Sequence, residues 1–355
     1  MADVIFFVHG VGEHPKDWEK GVVEQLRKFC DEYSRAGKGD FDKRFKPIGI
    51  SYSGLFKDIL VEWAQRKDDI DNVVEQVGAD LVEKLLGWIA GAPDIEKDFF
   101  WTHAFDVLTY WLLPTVREAV KVRVALKLFE GIQGLGENVH WSIIAHSMGT
   151  AVVHDTLHAW HNQPLAGGGT LGQIRAPRLI QMVANCSRVL QRGAAGHDPD
   201  AYDSDVRPGK SCEYYFSVQH PFDPVTIIRP FLPSNWPGGG EDAESRYSQV
   251  VFNPPDYVQQ KDIHDLGHYL RHPDVVLPLL RCLAHKTYVG KENETKYRQA
   301  FKLHGDLTDL DLVAIRKSLE VLGIGLPDKW LGFLIAWQRL RELLGTAENE
   351  DANNE

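Results

Sequence analysis

The chain has 355 residues, enough for one large domain or two small ones, and 43% of them are hydrophobic, so a substantial core is within reach. Its 39 Lys and Arg stand against 50 Asp and Glu, a formal charge of −11. That balance argues against a nucleic-acid partner, whose affinity comes from clustered cations, and no basic block occurs in the chain.

The N-terminus, MADVIFFVHG, has neither a basic leader nor a small-residue cleavage site, so it does not read as a signal peptide. No segment reaches the roughly 18 uninterrupted apolar residues that span a bilayer. Cys30, Cys186, Cys212 and Cys282 are far apart and form no CxxC pair, so free buried thiols are expected. The expectation is a soluble cytoplasmic protein.

In chain order, VIFFVHG (4–10) predicts a strand buried on both faces, stopped by glycine. WEKGVVEQLRKFCDEY (18–33) places Val22, Val23, Leu26, Phe29 and Cys30 at helical spacing, and FKPIGISYSG (45–54) reads as a second strand. Such a βαβ unit implies parallel strands. Residues 55–137 read as a mostly helical insertion carrying Trp63, Trp88, Trp101 and Trp111. NVHWSIIA (138–145) predicts a strand and SMGTAVVHDTLHAWHN (147–162) a helix. PRLIQMVANC (177–186), SCEYYFSVQH (211–220) and YSQVVFN (247–253) predict further strands. Helices are expected at 266–271, 274–285, about 308–323 and about 329–345. The acidic run AENEDANNE closes the chain as a solvated, disordered tail over 347–355. The whole reads as an α/β protein: a mostly parallel central sheet with helices on both faces, a helical insertion, and a helical C-terminal extension over 291–346.

One stretch carries chemistry. In IIAHSMGT (143–150), Ser147 stands between a strand and a helix, with Ala145 and Gly149 two positions to either side. That is the context of a nucleophile elbow, where a sharp turn lifts the serine and small neighbours let strand and helix approach. A helix N-cap is the plainer alternative for a serine there. It leaves the two small residues unexplained.

With FFVHGVGEH near the start and IIAHSMGTAVVHDTL at the turn, the chain resembles the α/β-hydrolase superfamily of the lipase and serine-esterase type over roughly residues 3–285. Ala145 stands where that superfamily commonly has glycine. The resemblance implies a hydrolase domain over 1–290, shortened by the superfamily's first two strands, with 55–137 as a cap. It further implies the chain order Ser, then acid, then His. In EYYFSVQHPFDPVT, Asp223 follows a strand, between Pro221 and Pro224, and matches the acid loop; a plain turn residue is its alternative. In DIHDLGHYLRHP, Leu266, Tyr269 and Leu270 form a helical stripe with Asp265 as N-cap, which leaves His264 on the preceding loop where the base belongs. His268 is the alternative base. His268 and His272 otherwise read as exposed helical histidines. For the oxyanion hole the resemblance points to the backbone amides of Val11 and Met148, with His9 and Gly10 as the supporting loop.

Two histidine sets, His264/His268/His272 and His154/His158/His161, have helical spacing but lack an HExxH glutamate, so no metal site is expected. HDPDAYDSD (197–205) lacks the glycine and glutamate of an EF-hand loop, and the glycine runs at 167–169 and 237–242 open no helix. The expected activity is cofactor-free hydrolysis of a small-molecule or lipid carboxylic ester. An acyltransferase or thioesterase with the same triad, or a protein-binding module on a hydrolase fold, are the alternatives.

Overall fold

A computed structural model describes residues 2–12, 14–56, 58, 110, 114–136, 138–162, 175–190, 206–220, 223, 226, 231, 247–251 and 264–302. Most of the expected cap, the glycine runs at 167–169 and 237–242, the aspartate-rich stretch 197–205, the helices expected beyond 302 and the acidic tail lie outside the described residues.

The elements run β1 (Asp3–Val8), α1 (Lys20–Tyr33), α2 (Asp40–Arg44), β2 (Phe45–Ile50), α3 (Pro114–Ile132), β3 (Trp141–His146) and α4 (Met148–Asn162). They continue with β4 (Leu179–Val183), α5 (Ser187–Leu190), β5 (Tyr214–Gln219), β6 (Tyr247–Val251), α6 (Leu266–Arg271), α7 (Pro273–Leu283) and α8 (Lys291–Lys302). The six strands form one sheet in the order β2-β1-β3-β4-β5-β6, and every neighbouring pair is parallel.

Strand periodicity divides the core in two. Ile5 and Phe7 of β1, Ile144 of β3, Leu179 and Val183 of β4 and Val218 of β5 face one layer, built by α1, α6 and α7. Val4, Phe6, Val8, Ile143, Ala145, Ile180, Met182 and Tyr215 face the other, built by α3 and α4. A right-handed crossover accounts for this division. The chain steps from β1 to β2 in one direction and from β2 past β1 to β3 in the other, so α1 and α3 fall on opposite faces.

The helices follow from their spacing. In α1, Val23, Leu26, Phe29 and Cys30 are buried, and the helix ends where Ser34 turns extended. In α3 the buried stripe is Val116, Val120, Val124, Leu128 and Ile132. That helix lies so close to β1 that a Cβ at Gly131 would stand 2.5 Å from the Phe6 ring. Its outer side carries Val122, Leu126 and Phe129, all exposed. Tyr110 and Arg117 both bind Asp155 of α4, at 2.5 and 2.8 Å, fastening the chain before α3 and its first turn to α4. Helix α8 packs Tyr297 on Phe29 of α1 and is tied to α7 through Arg298, which binds Asp274. Cys30, Cys186 and Cys212 are buried free thiols, and Cys282 is half-buried. No helix among the described residues is long and apolar enough to cross a membrane.

Several histidines are buried in neutral form. His154 of α4 is packed in the second layer against Tyr215, its Nε2 2.7 Å from the hydroxyl, and burial lowers its pKa to about 3. Burial also lowers His272, between α6 and α7, to about 4. The folded chain therefore refuses protons that the unfolded chain accepts near pH 6.5. Their contribution is intact above pH 6.5 and is lost as pH falls toward 4 and below. Each such histidine should remove up to about 1.4 kcal/mol per pH unit in that window. Urea unfolding midpoints measured from pH 7.5 to 5 should fall on acidification, and a flat profile would refute the assignment.

Candidate active site at the strand exits

Strand β1 has β2 on one side and β3 on the other, and the chain leaves it in opposite directions. A crevice opens above the C-terminal ends of strands at such a switch point. His9 to Gly12 leave β1 there, and His146 to Gly149 join β3 to α4.

The β3–α4 turn is tight. Ser147 takes a left-handed backbone, φ +53°, which disfavours any residue with a Cβ. Three hydrogen bonds hold its conformation. Its N–H donates to the Val183 carbonyl at 3.0 Å, and its own carbonyl accepts from the Thr150 N–H at 2.9 Å and the Thr150 hydroxyl at 2.7 Å. Thr150 Oγ1 in turn accepts from Cys186 N–H, so the exit of β4 braces the turn. The small residues have a steric reason. A Cβ at Gly149 would lie 2.3 Å from the His9 carbonyl oxygen, and one at Gly10 would lie 2.7 Å from Ser147 Cβ. Helix α4 starts directly behind the serine, so the Met148 and Gly149 amides are first-turn donors at the positive end of the helix dipole.

The loop after β1 is fixed through its carbonyls. The Tyr52 hydroxyl donates to the carbonyls of His9 and Gly10, at 2.6 and 3.2 Å. His9 Nε2 accepts from Tyr52 N–H, so the ring proton sits on Nδ1, which donates to the Gly10 carbonyl at 2.7 Å. His14 Nε2 donates to the Val11 carbonyl at 3.1 Å. The rings of His14 and Tyr52 stack on His9, each 4.2 Å away, and Trp18 meets it edge-on. Burial, then His14, lowers His9 to about 3, which makes it a neutral anchor. A trans peptide points its N–H opposite to its carbonyl. With the Gly10 carbonyl tied inward to Tyr52 and His9, the Val11 N–H is turned the other way. Gly12, at φ +93°, lets the loop leave at a left-handed turn; Gly10 is needed for close approach to Ser147.

Four residues past β5, Asp223 is fully buried in a turn, its N–H bonded to the His220 carbonyl and its carbonyl to Thr226 N–H. Its Oδ2 receives His264 Nδ1 at 2.7 Å and the Tyr269 hydroxyl at 2.6 Å. A carboxylate oxygen accepts only, so Nδ1 of His264 carries a proton, and in the neutral ring Nε2 is the nitrogen with the lone pair. Burial and the neighbouring carboxylate hold the Tyr269 hydroxyl well above its ordinary pKa, so it remains a donor. His264 lies just before α6, whose N-cap is Asp265, accepting from the His268 N–H at 2.9 Å. His146, next to the serine in the chain, reaches this pair: its Nε2 is 2.5 Å from the His264 carbonyl oxygen.

The expectation of exposed histidines on α6 is corrected. His268 is only 6% exposed, with its ring 5.7 Å from that of His220, because the whole first turn of α6 is covered. His272 is equally buried and lies between helices, where its Nδ1 accepts from Asp274 N–H and caps α7. The Asp223 carboxylate partners His264, and the alternative base His268 packs toward His220. Among the described residues no three His, Cys, Asp or Glu side chains gather in a way that could hold a metal ion. A depression of about 300 Å³ lined by His272, Asp274, Arg298 and Phe301 is built from α7 and α8, apart from these strand exits.

No family model matches the chain, and no curated protein matches it in sequence. Tyr52, Tyr269, His146, His14 and Thr150 are residues of this cluster that sequence reasoning passed over. The helical stripe of Leu266, Tyr269 and Leu270 placed Tyr269 on α6, but nothing in that pattern marks its bond to Asp223.

The steric argument is testable by adding one methyl group. Gly149→Ala should destabilise the fold by about 1–3 kcal/mol or more, because a backbone carbonyl cannot step aside. Gly21→Ala, in α1 with nothing within 4 Å of the new Cβ, should instead stabilise by about 0.5–1 kcal/mol. Urea melts of the two variants check both signs.

Proposed function

We propose that the chain is a serine hydrolase of the α/β-hydrolase type that cleaves carboxylic esters with an apolar acyl group. The observation that carries this reading is the 2.7 Å bond from His264 Nδ1 to the buried Asp223, beside the left-handed turn of Ser147. The all-parallel sheet fits that fold with β1 as the strand whose following loop lines the oxyanion hole.

In this reading the lone pair of His264 Nε2 takes the Ser147 hydroxyl proton as Oγ attacks the ester carbonyl. The negative charge moves to the carbonyl oxygen, between the Val11 and Met148 amides. Collapse breaks the C–O bond, and the leaving alkoxide receives the proton from Nε2. Water repeats the sequence on the acyl-enzyme, giving the acid and restoring the serine. Asp223 keeps the imidazole proton on Nδ1 throughout and stabilises the imidazolium, with the Tyr269 hydroxyl holding the carboxylate in place. The Gly10 and Val11 carbonyls are tied to side chains, so the oxyanion donors need no reorganisation when charge develops.

A fluorophosphonate probe should add once, at Ser147, and p-nitrophenyl esters should be hydrolysed in a chain-length-dependent way. An adduct elsewhere, or none, overturns the assignment. His264→Ala should cut turnover by roughly 10³ to 10⁶, judging by triad knockouts, whereas His268→Ala should change it only a few-fold. Tyr269→Phe removes a hydrogen bond to the Asp223 carboxylate and should cost roughly 10- to 100-fold in kcat.

A further inference from the structure

Building on the serine-hydrolase reading, we propose that His146 is a positioning residue that latches the base loop onto the nucleophile turn. The geometry begins with strand period. Ile143 and Ala145 of β3 face the α3–α4 layer, so His146 points with Ile144 toward the layer of α1, α6 and α7. That is the side from which His264 enters. There the His146 ring lies 4.7 Å from the His264 ring, tilted by 46°, and its Nε2 reaches the His264 carbonyl oxygen at 2.5 Å.

A carbonyl only accepts, so His146 carries its proton on Nε2, the opposite tautomer to His264. Loss of water around the ring, then the closeness of His264, hold its pKa well below 6.5, so the latch stays a neutral donor. The other edge of the ring meets the oxyanion loop: a Cβ at Gly10 would stand 3.4 Å from His146 Nδ1. One side chain therefore adjoins the serine through the chain, the oxyanion loop through Gly10 and the base through its backbone. Asp223 fixes the direction of the His264 ring. His146 fixes the backbone on which that ring is carried. Without this second constraint the loop could shift along the crevice while its bond to Asp223 persisted, and a misplacement of about 1 Å costs on the order of 100-fold in rate.

The test compares His146→Gln, whose amide Nε2 can still donate to the same carbonyl, with His146→Met, which fills similar space and cannot. Fluorophosphonate labelling and ester hydrolysis are measured on both, with melting temperatures as the control for folding. His146→Met should lose roughly 10- to 100-fold in labelling rate and kcat with KM little changed, and His146→Gln should recover to within roughly threefold of the parent. A folded His146→Met labelled as fast as the parent overturns the latch and leaves the hydrolase reading standing. A parent chain that no probe labels overturns the hydrolase reading, and the latch with it. Nitrogen-15 spectra of the histidines supply a measurement independent of any variant's folding. His146 should show a protonated, exchange-protected Nε2, and a proton on Nδ1 would overturn the proposal.

Discussion

The arrangement depends on how closely the exit of β1 approaches the start of α4. The first turn of α4 rests on the His9 carbonyl, where the added Cβ at Gly149 would be 2.3 Å away. That contact fixes the distance between the two strand exits. Ser147 must then turn left-handed to bring the chain from β3 into the helix, and its conformation survives because Val183, Thr150 and Cys186 hold it from outside. The same approach leaves no room for a side chain at position 10. Two glycines and one strained serine are thus consequences of a single packing distance.

Around this contact, acceptor-only oxygens settle where protons reside. The Gly10 carbonyl places the His9 proton on Nδ1, the Val11 carbonyl places that of His14 on Nε2, and Asp223 and the His264 carbonyl do the same for His264 and His146. Burial keeps His9, His14 and His146 below their ordinary pKa, so they act as fixed dipoles. A site assembled from fixed dipoles does not have to reorient when charge develops.

The sheet was legible because each strand is a short apolar run with clear stops. Predicted strand ends overshoot where the backbone turns before the apolar pattern does. At 45–54 the strand ends at Ile50, and Tyr52 swings back onto His9; at 177–186 it ends at Val183, since Ala184 takes φ +48°. The five-residue α2 is too short to show a helical period. Ser147, Asp223 and His264 were singled out from local context and from the chain order that the resemblance implies. The side chains that position them were not, because those contacts join residues 43, 46 and 118 positions apart. Helical spacing likewise gave His268 and His272 a periodic position, but the burial of α6 is decided by what packs over it. Their polar side chains carry no mark of that.

The left-handed turn at Ser147 sets durability against reactivity at one position. Backbone energetics alone would place glycine there, since a side chain in that conformation costs about 1–2 kcal/mol. A glycine variant would relax the turn, offset in part by the wider freedom of its unfolded chain. It would also be inert in the proposed chemistry. A search for thermally robust variants guided by folding alone would therefore be drawn toward removing the hydroxyl. The residue that strains the fold most at this turn is the one that its proposed chemistry most needs.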